Sequence, residues 1–242
     1  MASPYLQCPD DWAKTTLEPD PSAEFILRAD TGSTPSTTRS EYWDGDVPWL
    51  TPKEITDFGD KLFVSRTERN ITESGLSASA AKLMPAGTVM LTKRAPVGAV
   101  VVNAVPMATN QGFMNFTCGP RLRPAYLAAW LKANKPYLDA VANGSTYPEL
   151  YAGDLFEFEI SVPPLDYQDR VLAVIASFQA VLAMETSLEQ LVLSPQELAK
   201  VQTTARSIRR LSSQMLPQLL SGGIDLEAIE MPASLMGSMN AS

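Results

Sequence analysis

Two periodicities divide this chain. Up to about Pro164, apolar residues come in short runs or alternate with polar ones; beyond it they recur every three or four positions. Phe156-Glu157-Phe158-Glu159-Ile160-Ser161-Val162 alternates at period two and stops at Pro163-Pro164, as a half-buried strand does. After it, Val171, Val174, Phe178, Val181, Glu185, Leu188 and Val192 step by three and four, which predicts an amphipathic helix. Ser194-Pro195-Gln196-Glu197 predicts a second helix start, with Ser as N-cap, Pro at the first helical position and Glu closing a capping box. Leu198, Val201, Ala205, Ile208, Ser212, Met215 and Leu219 carry the stripe on to Gly222-Gly223, which ends it. Stripes this long bury themselves against something: a neighbouring helix in a hairpin, a second copy of the chain, or a partner protein.

The first part reads as mixed α/β. Residues 24–30 suit a short helix or strand, and 31–40 form a Gly/Ser/Thr/Pro loop. Residues 42–46 are a turn signal with aromatic edges. Val47-Pro48-Trp49-Leu50 predicts a short strand, with Pro48 marking an edge or an end. Thr51, Pro52 and Glu54 predict a helix start. Residues 88–92 and 99–105 are β-rich runs around Lys93–Gly98, the pattern of a hairpin or a sharply bent sheet, and 108–116 lead toward another strand. Residues 124–143 predict amphipathic helices with a break at Pro136, followed by a polar loop at 144–148. The expected fold class is therefore α+β: a mixed α/β globule over 1–164, a long helical, coiled-coil-like arm over 165–224, and a mobile tail over 225–242.

Composition removes whole classes of chemistry. Histidine is absent, which excludes Ser-His-Asp and Cys-His catalysis and any His-liganded metal. Two cysteines far apart, Cys8 and Cys118, cannot build a tetrahedral zinc site alone; they could in principle pair, but their spacing suggests no disulfide framework, and a reducing cytoplasm is the simplest reading. The start carries no basic segment followed by an apolar one, so no signal peptide is expected, and no apolar run reaches membrane-spanning length. No P-loop or Gly-rich cofactor loop is present. Amino-group DNA methylation needs an acidic or Asn-Pro-Pro-aromatic tetrapeptide; Val162-Pro163-Pro164-Leu165 lacks both the polar first residue and the aromatic. None of the eight lysines has an acid two residues before it, which leaves out the common metal-dependent nuclease motif. No catalytic residue, cofactor or metal ligand is expected.

Net charge is −8, the wrong sign for a nucleic-acid binder, but its distribution changes the picture. Residues 61–135 hold ten basic residues against Glu68 and Glu73, a balance of +8, which leaves −16 for the remainder. A basic middle between acidic ends is the asymmetry of a localised polyanion site, or of a solvated surface with clustered charge. Within and beside it lie polar loops. Arg and Lys donate to guanine O6 and N7, Asn and Gln bridge adenine N6 and N7, and hydroxyls suit phosphates. The candidate DNA contacts are Arg66, Arg69, Thr92, Lys93, Arg94, Asn110, Gln111, Ser145, Thr146 and Tyr147. The plainer roles are solvated turn charges for Lys93 and Arg94, and backbone capping for Asn110 and Gln111.

In series these segments resemble the target-recognition domains of specificity subunits from type I restriction–modification systems. The resemblance runs through Gly32-Ser33-Thr34-Pro35, Tyr42 to Thr51, Gly87-Thr88-Val89-Met90 and Arg94-Ala95-Pro96-Val97-Gly98. It continues through Ala108 to Phe113, Gly144-Ser145-Thr146-Tyr147, Val162-Pro163-Pro164-Leu165 with Gln168, and Leu219-Leu220-Ser221-Gly222. It covers about Asp10 to Ile224. Where the family usually has Glu-Gln, this chain has Tyr167-Gln168. The resemblance implies a non-catalytic reader of double-stranded DNA that docks a DNA adenine methyltransferase, with or without a restriction subunit, in a bacterial or archaeal cytoplasm. The usual subunit carries two recognition domains; one globule and one arm imply a half-length form that pairs with itself and reads a split palindrome. Leu198, Val201, Ile208, Met215 and Leu219 are then the expected dimer or methylase contacts. Two other readings remain at this point: an enzyme fused to its reader, and an acidic decoy that binds the methylase without reading DNA.

Overall fold

The computed structural model describes residue 6 and residues 8–22, 24–57, 61–142, 148–189 and 194–226. They fall into two units: residues 13–162, and residues 6–12 together with 163–226.

The first unit is α+β. Its strands are β1 (Ala13–Thr16), β2 (Ile26–Thr31), β3 (Trp43–Leu50), β4 (Phe63–Val64), β5 (Asn70–Ile71), β6 (Val89–Thr92), β7 (Val100–Asn103), β8 (Ala108–Thr109), β9 (Phe113–Cys118) and β10 (Glu159–Val162). Its helices are α1 (Pro52–Asp57), α2 (Glu73–Ser77), α3 (Pro124–Ala133), α4 (Lys135–Val141) and α5 (Ala152–Phe156). A five-stranded sheet runs β2-β9-β6-β7-β4, a three-stranded sheet β5-β3-β8, and β1 pairs with β10. The β6–β7 hairpin is antiparallel, pairing Val89 with Val102 and Leu91 with Val100. Every residue of both strands is buried, so both faces of the hairpin are covered. On one side α3 packs against β6 and β7. Its Tyr126, Leu127, Trp130 and Leu131 are essentially inaccessible, and each apolar side chain so buried contributes about 1.5–3 kcal/mol. A second apolar cluster joins Leu50, Ile55, Val64, Met84, Met90, Val101, Met107 and Phe113, tying β3 and α1 to the larger sheet.

Residues 24–30, open to helix or strand from the sequence, take the strand option, with β2 over Ile26–Thr31. Three expectations shift in detail. The aromatic turn signal at 42–46 lies mostly inside β3: Asp44 adopts φ +62 and the register slips opposite Ile71 between Trp43 and Val47, a bulge that lets one strand continue through Pro48. The helical break falls at Asn134 rather than Pro136, because Pro136 sits in the first turn of α4, where its missing N–H is no loss. Asn134 is buried and its amide donates to the Trp130 carbonyl at 2.9 Å, closing α3. Phe156 ends α5, so the terminal strand begins only at Glu159.

The second unit is a helical hairpin of α6 (Leu165–Glu189) and α7 (Pro195–Leu220), packed against each other. The start of α7 follows the sequence: the Ser194 hydroxyl accepts the Glu197 N–H while the Glu197 carboxylate accepts the Ser194 N–H. The arm is thus antiparallel within one chain. At its base the Tyr167 hydroxyl, on the first turn of α6, donates to the Leu219 carbonyl near the end of α7 at 2.9 Å. Burial, with Cys8 and Asp225 nearby, pushes the Tyr167 phenol up, so it stays a donor. Buried Gln168 donates to the Pro163 carbonyl at 2.9 Å and fixes the turn into α6. Residues 6–12, expected within the globule, belong here: Trp12 packs on Tyr167 with ring centroids 5.0 Å apart, and a side chain at Gly222 (φ +73) would meet Pro9 and Trp12 at 3.0–3.2 Å.

Glu54 ties α1 to the 65–69 loop. Its buried carboxylate accepts the Thr51 N–H at 2.9 Å, the Thr51 hydroxyl at 2.7 Å and the Glu68 N–H at 2.7 Å. Glu54→Ala strands two backbone donors and is expected to lower unfolding stability by about 2–4 kcal/mol. Urea denaturation checks this; an unchanged midpoint contradicts it.

Candidate nucleic-acid interface

The loop at 32–39 is the seam along which the polar loops meet. It comes so close to the end of β8 that a Cβ on Gly32 would lie 2.1 Å from the Thr109 carbonyl and 2.4 Å from that of Asn110. The Ser33 N–H donates to the Thr109 carbonyl at 2.9 Å. On its other side the loop accepts two indoles: Trp49 Nε1 donates to the Ser33 carbonyl at 3.0 Å and Trp43 Nε1 to that of Ser36 at 3.1 Å. The two rings meet edge to face, centroids 5.1 Å apart. Above them lies the Arg69 guanidinium, 3.8 Å from the Trp43 centroid and 5.5 Å from that of Trp49.

From the same loop the Thr34 hydroxyl donates to Gln111 Oε1 at 2.7 Å. Asn110 Oδ1 accepts the Gly112 N–H at 2.8 Å, folding 110–112 into a tight turn. The Gly112 carbonyl accepts the Lys93 N–H at 2.8 Å, and the Lys93 carbonyl accepts the Leu150 N–H at 2.8 Å. Arg94 Nε meets the Glu149 carboxylate at 3.0 Å. A continuous chain of contacts thus runs from Arg69 through the indoles, the 32–39 loop, Asn110 and Gln111 to Lys93, Arg94 and residues 149–150. Segments far apart in sequence are thereby linked to one another.

Sequence expectations fare unevenly. Arg69, Arg94 and Gln111 are exposed, and Lys93 and Asn110 are half-buried. Arg66 is exposed on the 65–69 loop. Thr92 is corrected: it is wholly buried, its hydroxyl sits against the Pro96 carbonyl and accepts the Ala99 N–H at 2.9 Å, so it shapes the hairpin turn and presents nothing to a ligand. Asn110 spends its oxygen on the turn, the capping role, yet leaves its amide hydrogens unspent among the described residues. Ser145, Thr146 and Tyr147 lie outside the described residues; Pro148 and Glu149, which follow them, lead into the cluster. On the arm, Leu198, Val201, Ile208 and Met215 are half-buried, whereas Leu219 is 1% exposed and closed within its own hairpin, so it is not available to a partner.

The linear charge run is also partly spent. Lys82 pairs with Asp30, Arg121 with Glu24, Arg94 with Glu149 and Lys135 with Asp139, each acid lying outside 61–135. Surface pairs contribute at most about 1 kcal/mol, so Arg94 can exchange Glu149 for a phosphate at small cost. Sequence reasoning missed Thr34, Trp43 and Trp49 as builders of the site, and Tyr151, 55% exposed beside Leu150. The signal for the first three was present: a Gly-Ser-Thr-Pro loop and an aromatic-flanked turn are unusual outside a constrained loop. Among the described residues no three His, Cys, Asp or Glu side chains group as a metal site, and no helix is long and apolar enough to cross a membrane.

The family model for the type I restriction modification DNA specificity domain matches residues 24–193, more than half of the chain. The chain is 40% identical over 149 residues to the type I restriction enzyme MjaIX specificity subunit of Methanocaldococcus jannaschii, covering 61% of this chain and 34% of that one. It is 25% identical over 154 residues to the EcoR124I/EcoR124II specificity subunit of Escherichia coli, covering 61% and 37%. It therefore spans about a third of the length of these relatives. Among solved structures, the HsdS subunit from Thermoanaerobacter tengcongensis superposes with a TM-score of 0.53 at 19% identity, over 90% of this chain and 47% of that one. A chain from a study of type I R-M complex assembly and conformational transition gives 0.56 at 19%, over 90% and 48%. At that identity the likeness establishes the fold alone, an α+β globule and a helical arm.

The close approach at Gly32 yields a direct check. Gly32→Ala drives a methyl into the Thr109 backbone, which cannot yield, so the 33–36 carbonyls should leave the indoles of Trp43 and Trp49. The expected result is red-shifted tryptophan fluorescence and a stability loss of roughly 2 kcal/mol or more. A wild-type spectrum and melting point would mean the loop does not lie where it is described.

Proposed function

The chain belongs to the type I restriction modification DNA specificity domain family, and we propose that it reads double-stranded DNA through the converging loops while performing no chemistry itself. The observation that carries this is the convergence of Arg69, Gln111, Asn110, Lys93 and Arg94 along one chain of hydrogen bonds and ring contacts. These side chains supply what sequence reading requires. Guanidinium and amide groups match base edges, and Lys93 and Arg66 supply positive charge for phosphates. The bonded loops beneath them fix their spacing before DNA arrives, which lowers the ordering cost of binding. Ser145, Thr146 and Tyr147 complete the proposed surface.

The partner is a DNA adenine methyltransferase, directed by this chain to a bipartite site in a bacterial or archaeal cytoplasm, with a restriction subunit as a further partner. A second copy of the chain reads the other half-site, making the target a split palindrome. The helical hairpin supports this pairing. Val181, Met184 and Leu188 on α6 and Leu211 on α7 are 40–65% exposed, an apolar set the hairpin does not cover for itself. Leu198, Val201, Ile208 and Met215, half-buried, border the same arm and complete the proposed partner surface.

Footprinting on DNA tests the reading: the chain with its methylase should protect one discrete sequence, and only salt-sensitive, sequence-blind binding would count against it. Replacing Lys93 and Arg94 together by Ala should weaken target binding and, if both meet phosphates, reduce the salt slope by about two. Unchanged affinity would remove that loop from the interface. For the arm, Leu211→Asp should leave helicity intact and convert a dimer to a monomer in sedimentation. An unaltered oligomer would show that the apolar face serves another partner.

A further inference from the structure

We infer that Arg69 is a base-reading residue, held by Trp43 and Trp49 so that its guanidinium edge meets guanine O6 and N7 in the major groove. The inference rests on the DNA-reading role proposed above and assigns one residue a distinct part in it.

Three arginines lie over aromatic rings. Arg39 lies over Tyr42 at 5.6 Å, Arg121 over Phe25 at 5.1 Å and Arg69 over Trp43 at 3.8 Å. Arg39 also meets Glu41 at 3.7 Å, and Arg121 meets Glu24 at 2.7 Å. Their polar edges are engaged. The Arg69 side chain makes no hydrogen bond or ion pair among the described residues, although it is exposed. Its guanidinium carbon is held over the indoles while its N–H donors take no hydrogen-bond partner among the described residues.

Its backbone is fixed as well. The Arg69 carbonyl accepts the Trp49 N–H at 3.1 Å and the Thr67 hydroxyl at 2.8 Å. Next along the loop, the Glu68 N–H is held by the buried Glu54 carboxylate at 2.7 Å. A phosphate contact needs little of this, because a mobile lysine or an unstacked arginine such as Arg66 serves as well. Bidentate pairing with guanine does need it: two parallel donors must lie coplanar with the base edge, and a stacked guanidinium enters that geometry with its rotation already restricted. The indoles gain nothing from an open polar edge, so a packing role alone leaves that edge unexplained.

The test is selection and sequencing of bound duplexes from a randomised double-stranded oligonucleotide library, using the full chain and its Arg69→Ala and Arg69→Lys variants. Wild type should select a motif containing an invariant guanine. Both variants should lose selectivity at one guanine position, by about 5- to 150-fold, while the remaining positions stand. Arg69→Lys, which keeps the charge, should also keep the salt slope. If Arg69→Lys retains the guanine and Arg69→Ala weakens all sequences evenly with a slope reduced by about one, Arg69 is a phosphate contact and the inference is wrong. It is equally wrong if the variants melt lower but select the wild-type motif. If wild type itself selects no motif, the DNA-reading role fails and takes this inference with it. Should Arg69→Ala not fold, Arg69→Lys alone decides between a lost and a retained guanine.

Discussion

The site depends on two indole hydrogen bonds. Trp49 and Trp43 donate to the carbonyls of Ser33 and Ser36, and through these bonds an irregular loop with no ladder of its own is fixed to a strand. A loop of small polar residues cannot hold itself in one conformation, since ordering each residue costs about 1–2 kcal/mol of backbone entropy. The two bonds, the Ser33–Thr109 bond and the contact made possible by Gly32 offset that cost. Everything presented on the surface then follows. One face of the fixed loop positions Gln111 through Thr34, and the aromatic pair behind it carries Arg69.

This bears on how a chain of net charge −8 would support the proposed polyanion site. Several basic residues of the central run are neutralised in pairs by acids from elsewhere in the chain. The charges that remain open are few and placed. In the proposed reading, Arg66 and Lys93 would provide the non-specific attraction that brings DNA in, and groups held by bonded loops would discriminate among bases. On that reading specificity would rest on geometry more than on the total field, and sequence change confined to the loops would alter the target while the sheets and hairpin stay as they are.

Much of the architecture was legible in the residues because it is encoded locally. The Ser194 capping box, the β6–β7 runs and the three-and-four stripes of the arm each specify their element within a few residues. The site was legible in part. Lys93, Arg94, Asn110 and Gln111 were identifiable as polar loop residues, but their convergence depends on contacts between segments up to 77 positions apart, such as Thr34 with Gln111. Thr92 misled for the same reason: a threonine beside Lys-Arg reads as a ligand group until its hydroxyl is found turned inward. The stack of Arg69 on Trp43 leaves no trace in periodicity or charge at all. In the arm, the stripe announced a buried face without saying what buries it; the packing of α6 on α7 covers part of it within the chain and leaves Leu198, Val201, Ile208 and Met215 half-buried.

The central claim is that this chain chooses the DNA sequence for a chemistry it does not carry. Single-molecule methylation mapping of cells expressing it with the DNA adenine methyltransferase proposed as its partner tests that most directly. The expected result is adenine methylation at one discrete motif made of two identical inverted halves, which disappears when the chain is withheld. Methylation at the same motif without the chain, or no motif at all when both are present, would contradict the claim.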